Sequence, residues 1–353
     1  MRPSQVVLVT GSSGLIGSAL VRRLAETYRI VGFDRKGDPH PPKEAECVCL
    51  DVTSDESVEA GLARVRYAYG NDIASVVHLA AFYDFSGEPS PLYEEVTVRG
   101  TERLLAGLQG FNVGQFLFSS TMLVHRPAQP GQRIEEDWPL EPTWAYPQSK
   151  VATEKLISNR RGKIPAVLLR IAGVYDDKGH SPPITHQIAR IYERALTSRF
   201  YPAEMDRGSS FIHLDDLLEA IVAIIDRRAE LPQELPLLVG EEQVTGYGEL
   251  QELIGCLIHG EAWKTWEIPK TIAKVGTWAQ DSIPFGEEPF IKAWMVDRAE
   301  DHYALDCTKA RTLLDWRPRH SLRETLPAIV HALKKDPVTW YRENGMEPPD
   351  DYR

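Results

Sequence analysis

The feature that most constrains this chain is a turn near its start, Thr10-Gly11-Ser12-Ser13-Gly14-Leu15-Ile16-Gly17. It follows the apolar run Val6–Val9 and leads into Leu15, Ala19, Leu20, Arg23 and Leu24, which keep helical spacing. Glycines at those places between a strand and a helix have separate tasks. Gly11 permits the tight turn, Gly14 lets backbone approach a ligand, and Gly17 lets the helix pack close to the sheet. The helix presents unpaired N–H groups and the positive end of its dipole, which suit a diphosphate. Gly11, Ser13, Gly14, Leu15, Ile16 and Gly17 are therefore the expected phosphate-binding residues.

The pattern then repeats. Short apolar runs at Ile30–Phe33, Cys47–Leu50, Ser75–Leu79, Phe116–Phe118 and Val167–Ile171 alternate with amphipathic stretches, as in βαβ units around a parallel sheet. Thr53-Ser54-Asp55-Glu56 reads as a capping box opening a helix through about Tyr67, and Glu94–Leu108 and Tyr146–Arg160 also read as helices. Past Tyr175 the alternation loosens. Phe211-Ile212-His213 followed by Asp215–Arg227 reads as one more strand and helix returning to the sheet. The fold class is α/β: a doubly wound parallel sheet formed by 1–175 plus about 208–240, with a smaller mixed α/β substrate lobe from about 176–207 and 241–330. Trp263, Trp266, Trp278 and Trp294 of that lobe are expected in its core, and 331–353 is expected to be a helix end and a frayed tail.

A formal charge of -11 opposes binding to phosphate backbones, so nucleic acid is not an expected partner. Cys47, Cys49, Cys256 and Cys307 form no CxxC pair, which fits reduced structural thiols without disulfides or zinc. No window reaches the roughly 18–20 apolar residues of a membrane span. A cytoplasmic protein is expected, with no membrane association and no metal.

Asp34 ends the second apolar run, 17 positions after Gly17. An acid there accepts hydrogen bonds from adenosine ribose hydroxyls and repels a 2′-phosphate, which favours NAD over NADP. Arg35 and Lys36 follow at once and soften that preference.

With these residues in view the chain resembles the extended short-chain dehydrogenases/reductases, also called the NAD-dependent epimerase/dehydratase family, whose fold is of Rossmann type. TGxxGxxG is that family's fingerprint, and further motifs follow in order. Asp51-Val52 resembles its aspartate-apolar pair beside the adenine, and His78-Leu79-Ala80-Ala81 its HxAA strand end along the cofactor. Arg170-Ile171-Ala172-Gly173-Val174-Tyr175 is similar to its RxxxVYG segment, whose backbone runs along the nicotinamide. Phe211-Ile212-His213-Leu214-Asp215-Asp216 resembles FIHVDD, and Leu314-Asp315-Trp316-Arg317-Pro318 resembles the closing LGWxP. The resemblance implies cofactor contacts at Asp34, Asp51, Val52, Leu79, Ala80, Ala81, Ile171 and Val174. His78 reads better as a packing residue than as a catalyst, and Asp215 and Asp216 read better as helix caps than as ligand contacts.

Tyr146-Pro147-Gln148-Ser149-Lys150 places a phenol and an ammonium on one helix face, four residues apart. A phenol of pKa near 10 is too weakly acidic for neutral-pH work, and a nearby lysine and the positive nicotinamide ring would lower it. Tyr146 would then exchange a proton with a substrate oxygen while the nicotinamide exchanges hydride, with Lys150 in support. Alignment with the family puts its catalytic hydroxyl on Thr121, with Ser120 as the competing assignment.

Departures from the family bear on substrate. Thr97 stands for its usual Asn, and His125-Arg126 for Tyr-Gly. Gly173 stands where nucleotide-sugar enzymes carry a substrate-contacting Asn, and Asp176 where the VYG glycine would be. Met122-Leu123 after Thr121 replaces the Asp-Glu of sugar 4,6-dehydratases, leaving no acid and base for elimination. Phe82-Tyr83-Asp84-Phe85-Ser86-Gly87 is aromatic where substrate is expected, and is similar to the same loop of 3β-hydroxysteroid dehydrogenase-like members. Such a wall suits a carbocyclic or lipid-like alcohol, and packing between lobes explains the aromatics equally well. Tyr83, Thr121 and Gly173 are the candidate substrate contacts. The leading expectation is an NAD-dependent dehydrogenase/reductase of secondary alcohols or ketones. A nucleotide-sugar epimerase with tightly held NAD is the alternative, and a non-catalytic dinucleotide sensor is the third reading. The resemblance also implies a homodimer through helices 94–108 and 146–160.

Overall fold

The structure, a computed structural model, describes residues 5–35, 44–84, 87–271, 273 and 296–349. Lys36, Phe85, Ser86, Trp278, Trp294, Asp350 and Asp351 lie outside the described residues. Strands β1 (Val6–Thr10), β2 (Arg29–Asp34), β3 (Glu46–Cys49) and β4 (Asp72–His78) are joined by helices α1 (Leu15–Leu24) and α2 (Asp55–Tyr69). A π-helical turn at Tyr93–Arg99 runs into α3 (Gly100–Leu108), followed by short β5 (Asn112–Val113), β6 (Phe116–Thr121), α4 (Ala145–Arg160) and β7 (Ala166–Ile171). The remaining elements are β8 (Gly173–Tyr175), α5 (Pro182–Tyr192), β9 (Phe200–Tyr201), β10 (Phe211–His213), α6 (Leu214–Asp226), β11 (Glu234–Val239), α7 (Tyr247–His259) and β12 (Trp266–Glu267). Helices Thr308–Leu314, Leu322–Lys335 and Pro337–Glu343 follow.

The main sheet has the order β11-β7-β6-β4-β1-β2-β3, with β5 beside β4, and the strand pairings are parallel. Strands buried on both faces need apolar residues in both registers. In β1, Val7 and Val9 enter one core with Leu20, Val21 and Leu24 of α1 and Leu217, Ile221 and Ile224 of α6. Val6 and Leu8 enter the other, with Val58 and Leu62 of α2 and Leu104, Leu105 and Leu108 of α3. The chain leaves β1 toward β2 and β3, then returns to β4 on the opposite side of β1. That switch point opens a crevice at the carboxyl ends of β1 and β4.

Several expectations need correction. Phe211–His213 does not rejoin the main sheet; it pairs with Gly173–Tyr175 in a separate two-stranded sheet. The returning strand is β11, which passes unread because Pro236 interrupts its pattern. Its place at the sheet edge tolerates a residue without an N–H. The predicted capping box is a simple cap: Ser54 accepts from Ser57 N, while the Thr53 hydroxyl turns back to Asp51. Asp215 and Asp216 do not cap α6, because His213 does so by accepting from Asp215 N. Asp216 instead accepts from Arg319 N at 3.0 Å and His320 N at 2.9 Å, docking the closing segment onto α6. Trp263 is core, but Trp266 is 53% exposed. The C-terminal region is also better built than a frayed tail, since Trp340 and Tyr341 are buried with α5, α7 and Leu322–Lys335 in a third core.

His78, fully buried at the end of β4, joins three elements. Thr101 gives its proton to Thr97 O at 2.6 Å, so it accepts from His78 Nε2 at 2.9 Å. His78 Nδ1 then accepts from Thr10 Oγ1 at 2.7 Å, and Thr10 accepts from Ala80 N at 3.1 Å. Only the neutral Nε2–H tautomer satisfies this chain. Burial, assisted by Lys150, pushes His78 down to about 3, which fits a packing residue. The unfolded chain therefore takes up this proton first as pH falls through about 6.5. Stability contributed by neutral His78 is present above that value and is lost toward the folded value. Urea unfolding at stepped pH should show His78→Gln with a shallower decline between pH 6 and 4, by up to about 1.4 kcal/mol per pH unit. Parallel curves for parent and variant would refute this.

Candidate active site

The glycine turn has the geometry its sequence demands. Gly11 takes φ +69°, and a Cβ there would stand 3.0 Å from Ala80 N and 3.1 Å from the Leu79 carbonyl carbon. A Cβ on Gly17 would overlap the Gly11 carbonyl and lie 2.9 Å from Ser12 Cα. Gly14 is different, because a Cβ there meets only Gly11 O at 3.5 Å, so the fold itself does not require glycine. No side chain caps α1 and no acid lies in its first turn, so its first amides have no side-chain acceptor from the helix itself. The Asp34 carboxylate ends β2 at this turn, accepting from Ser13 N and Arg35 N, each at 2.8 Å. Each oxygen keeps a lone pair for a further donor. Asp51 accepts from Thr53 N at 2.9 Å and from its hydroxyl, which hold the carboxyl below the usual range. Val52 is buried against Gly100 at the start of α3. Leu79, Ala80 and Ala81 leave β4 beside Gly11, while Ile171 and Val174 stand at the end of β7 and in β8. These residues stand at or just beyond the carboxyl ends of the parallel strands, and the glycine turn with the first amides of α1 fits a dinucleotide.

α4 differs from the other helices in what it buries. Ser149, Lys150, Thr153 and Glu154 are buried along with Val151 and Ile157, so it has no clean apolar stripe. This polar face lies on the end of β6. Tyr146, one residue inside the helix start, lies near enough to Thr121 for that hydroxyl to favour its ionised form. Lys150, 3% exposed, donates from Nζ to Ser119 O at 2.7 Å and sits 5.7 Å from the Tyr146 ring centre. The rival hydroxyl, Ser120, turns away from this cluster and donates to Glu154 Oε1 at 2.5 Å. Thr121 is therefore the hydroxyl that meets the phenol.

Electrostatics differ from the sequence expectation that Lys150 draws the phenol down. Burial pushes Tyr146 up to about 12, aided by neighbouring Tyr93 and opposed by the nearby Thr121 hydroxyl. Burial also brings Lys150 down to about 7, against the pull of Glu154. Both groups lose more from leaving water than they gain from each other, so protein alone favours a neutral phenol.

Aromatic rings surround that phenol. Tyr83 meets Tyr146 edge-on at 5.0 Å, Trp144 lies at 5.5 Å and Tyr93 at 6.5 Å. Tyr83 is still half exposed, while Phe82 turns inward against Tyr93 at 4.9 Å. The loop thus divides, with one ring packing and one facing outward. Thr97 stands within the π-helical turn, where its hydroxyl accepts from Phe82 N at 3.0 Å and anchors this loop. Gly173 is explained by packing, since a Cβ would come within 2.7 Å of the Phe211 ring. Sequence reasoning missed Trp144, Tyr93 and Glu154. Trp144 and Glu154 were findable from their spacing to Tyr146, two residues before and eight after.

The sequence model described as the NAD dependent epimerase/dehydratase family matches residues 7–240. UDP-glucose 4-epimerase of Streptomyces lividans is 28% identical over 246 residues, 63% of this chain and 71% of that protein. 3 beta-hydroxysteroid dehydrogenase type 7 of Mus musculus is 27% identical over 268 residues, 68% of this chain and 67% of that protein. Among solved structures, Thermus thermophilus UDP-glucose 4-epimerase in complex with NAD superposes with a TM-score of 0.69. It is 21% identical, over 94% of this chain and 100% of that one, a level that attests the fold alone. With its family match spanning well over half the sequence, the chain belongs to the NAD-dependent epimerase/dehydratase family, the extended short-chain dehydrogenases/reductases, and is an NAD-dependent enzyme.

Proposed function

We propose that this enzyme transfers hydride between NAD and a secondary alcohol or ketone, with Tyr146 as acid and base. The observation carrying the reading is the placement of Tyr146 one turn before buried Lys150 on α4, whose Nζ donates to Ser119 O at the end of β6 and lies 5.7 Å from the Tyr146 ring centre. Bound NAD supplies the hydride acceptor and a positive ring. Thr121 holds the substrate oxygen, Tyr146 takes its proton during oxidation, and Lys150 favours the phenolate. Gly11, Ser13, Gly14, Leu15, Ile16 and Gly17 would hold the diphosphate, and Asp34 the adenosine ribose, which favours NAD over NADP. Tyr83 and Trp144 give the substrate side an aromatic border suited to an apolar ring. Gly173 remains a candidate substrate contact only through its backbone.

The second reading is a nucleotide-sugar epimerase, favoured by the likeness to UDP-glucose 4-epimerase. It predicts stabilisation by uridine or guanosine diphosphate sugars in a thermal-shift screen, and silence across that screen would remove it. Among the described residues no helix is long and apolar enough to cross a membrane, consistent with a small-molecule substrate met in water. We also propose a homodimer through α3 and α4, readable by light scattering of the purified protein.

Tyr146→Phe should lower turnover of a cyclic alcohol by about 10²–10⁴-fold, followed as NADH absorbance; full turnover would reject the mechanism. Oxidation needs the phenolate and reduction the phenol, so alcohol oxidation should rise with pH up to an alkaline limb set by loss of the Lys150 proton, while ketone reduction falls. Gly14→Ala should fold with a loss under about 1 kcal/mol, because its Cβ meets little protein, yet bind NAD at least about tenfold more weakly. Calorimetric titration showing unchanged NAD affinity would move the diphosphate elsewhere.

A further inference from the structure

Three successive residues at the end of β6 meet three residues on one face of α4. Ser119 O accepts from Lys150 Nζ, Ser120 Oγ donates to Glu154 Oε1, and Thr121 neighbours the Tyr146 phenol. Tyr146, Lys150 and Glu154 stand four residues apart, so they rise from one side of the helix turn after turn. Glu154 is 4% exposed, a depth at which a carboxylate persists only with charged and hydrogen-bonded partners.

Arg170 supplies those partners from β7, where it pairs in register with Ser120. Its Nε reaches Glu154 Oε1 at 3.1 Å and its Nη2 reaches Oε2 at 2.7 Å, a two-pronged grip that fixes the carboxylate plane. Arg170 Nη1 donates to Glu136 O at 2.7 Å and to His125 Nε2 at 3.1 Å. A guanidinium has donors only, so His125 accepts there and gives its Nδ1–H to Trp138 O at 2.9 Å. Burial, with Arg170 alongside, pushes His125 down to about 4, so this neutral form holds at working pH. Glu154 is thus paired to Arg170 and stands one helical turn beyond Lys150.

We propose that Glu154 is a positioning residue for the reaction: gripped by Arg170 and Ser120, it keeps Lys150 cationic beside Tyr146 and holds the Ser119–Thr121 strand end in register with α4. The role rests on the reading of Tyr146 and Lys150 as the working pair. Burial alone brings Lys150 to the edge of neutrality, and Glu154 is the group that acts against it. A neutral amine would give the phenolate no support.

The test reads Lys150 directly, by carbon-13 NMR of protein labelled at lysine Cε, with Lys150→Met assigning the resonance. Glu154→Gln leaves Arg170 buried without its partner and risks misfolding. Glu154→Gln combined with Arg170→Met removes both charges and keeps the question open to measurement. In Glu154→Gln the Lys150 midpoint, about 7 in the parent, should fall by about one pH unit, and in the double variant, which also loses the Arg170 cation, by about half as much. The alkaline limb of alcohol oxidation should move down with it, while kcat falls about tenfold and KM stays within about twofold. A midpoint unchanged to within about 0.3 unit in the folded double variant overturns the proposal. A midpoint that falls in a protein whose parent oxidises no alcohol supports the hold of Glu154 on Lys150 and counts instead against the hydride-transfer reading.

Discussion

The carbonyl of Gly11 occupies the space that a side chain on residue 17 would need, and this close approach sets how the first helix leaves the sheet. With backbone so near backbone, α1 starts directly over the end of β1 and its first amides point into the crevice. The positive φ of Gly11 brings the same turn against Leu79 and Ala80, so the exits of β1 and β4 are locked together. The Thr10–His78–Thr101 chain continues that lock into α3. The exits of β1 and β4 and the start of α3 thus share one hydrogen-bonded frame.

Burial governs the chemistry along α4. Phenol, lysine and carboxylate all lie on a helix face turned inward, and each pays desolvation in its charged form. The protein answers with fixed partners: a carbonyl for Lys150, a guanidinium for Glu154 and a nearby hydroxyl for Tyr146. The phenol is the member left furthest from its charged state. An additional positive charge near it therefore has a large effect on its ionisation.

Much of this was legible in the sequence because the relevant signals are local. Gly11, Gly14 and Gly17 announce their turn through spacing, and Tyr146 and Lys150 through a single helical turn. The apolar runs located β1, β2, β3, β4, β6 and β7 to within a few residues. What was not legible depends on distant partners. Phe211–His213 reads as a sheet strand, yet it pairs with Gly173–Tyr175, because β8 leaves the main sheet one residue after β7 ends. Glu154 looks like an ordinary surface helix residue until β7 places Arg170 opposite it. Trp266 looks like core and is exposed, since hydrophobic character alone does not say which side of a short strand faces inward.

The π-helical turn at Tyr93–Arg99 amounts to one surplus residue carried inside a helix. Deleting a single position there would restore ordinary winding and leave the flanking turns near their present phase, while displacing the residues inside the bulge by one position. Thr97 and the loop tied to it would shift relative to the phenol. A one-residue gap at this place between related sequences is therefore a change in the shape of the substrate entrance, even where each neighbouring side chain is identical.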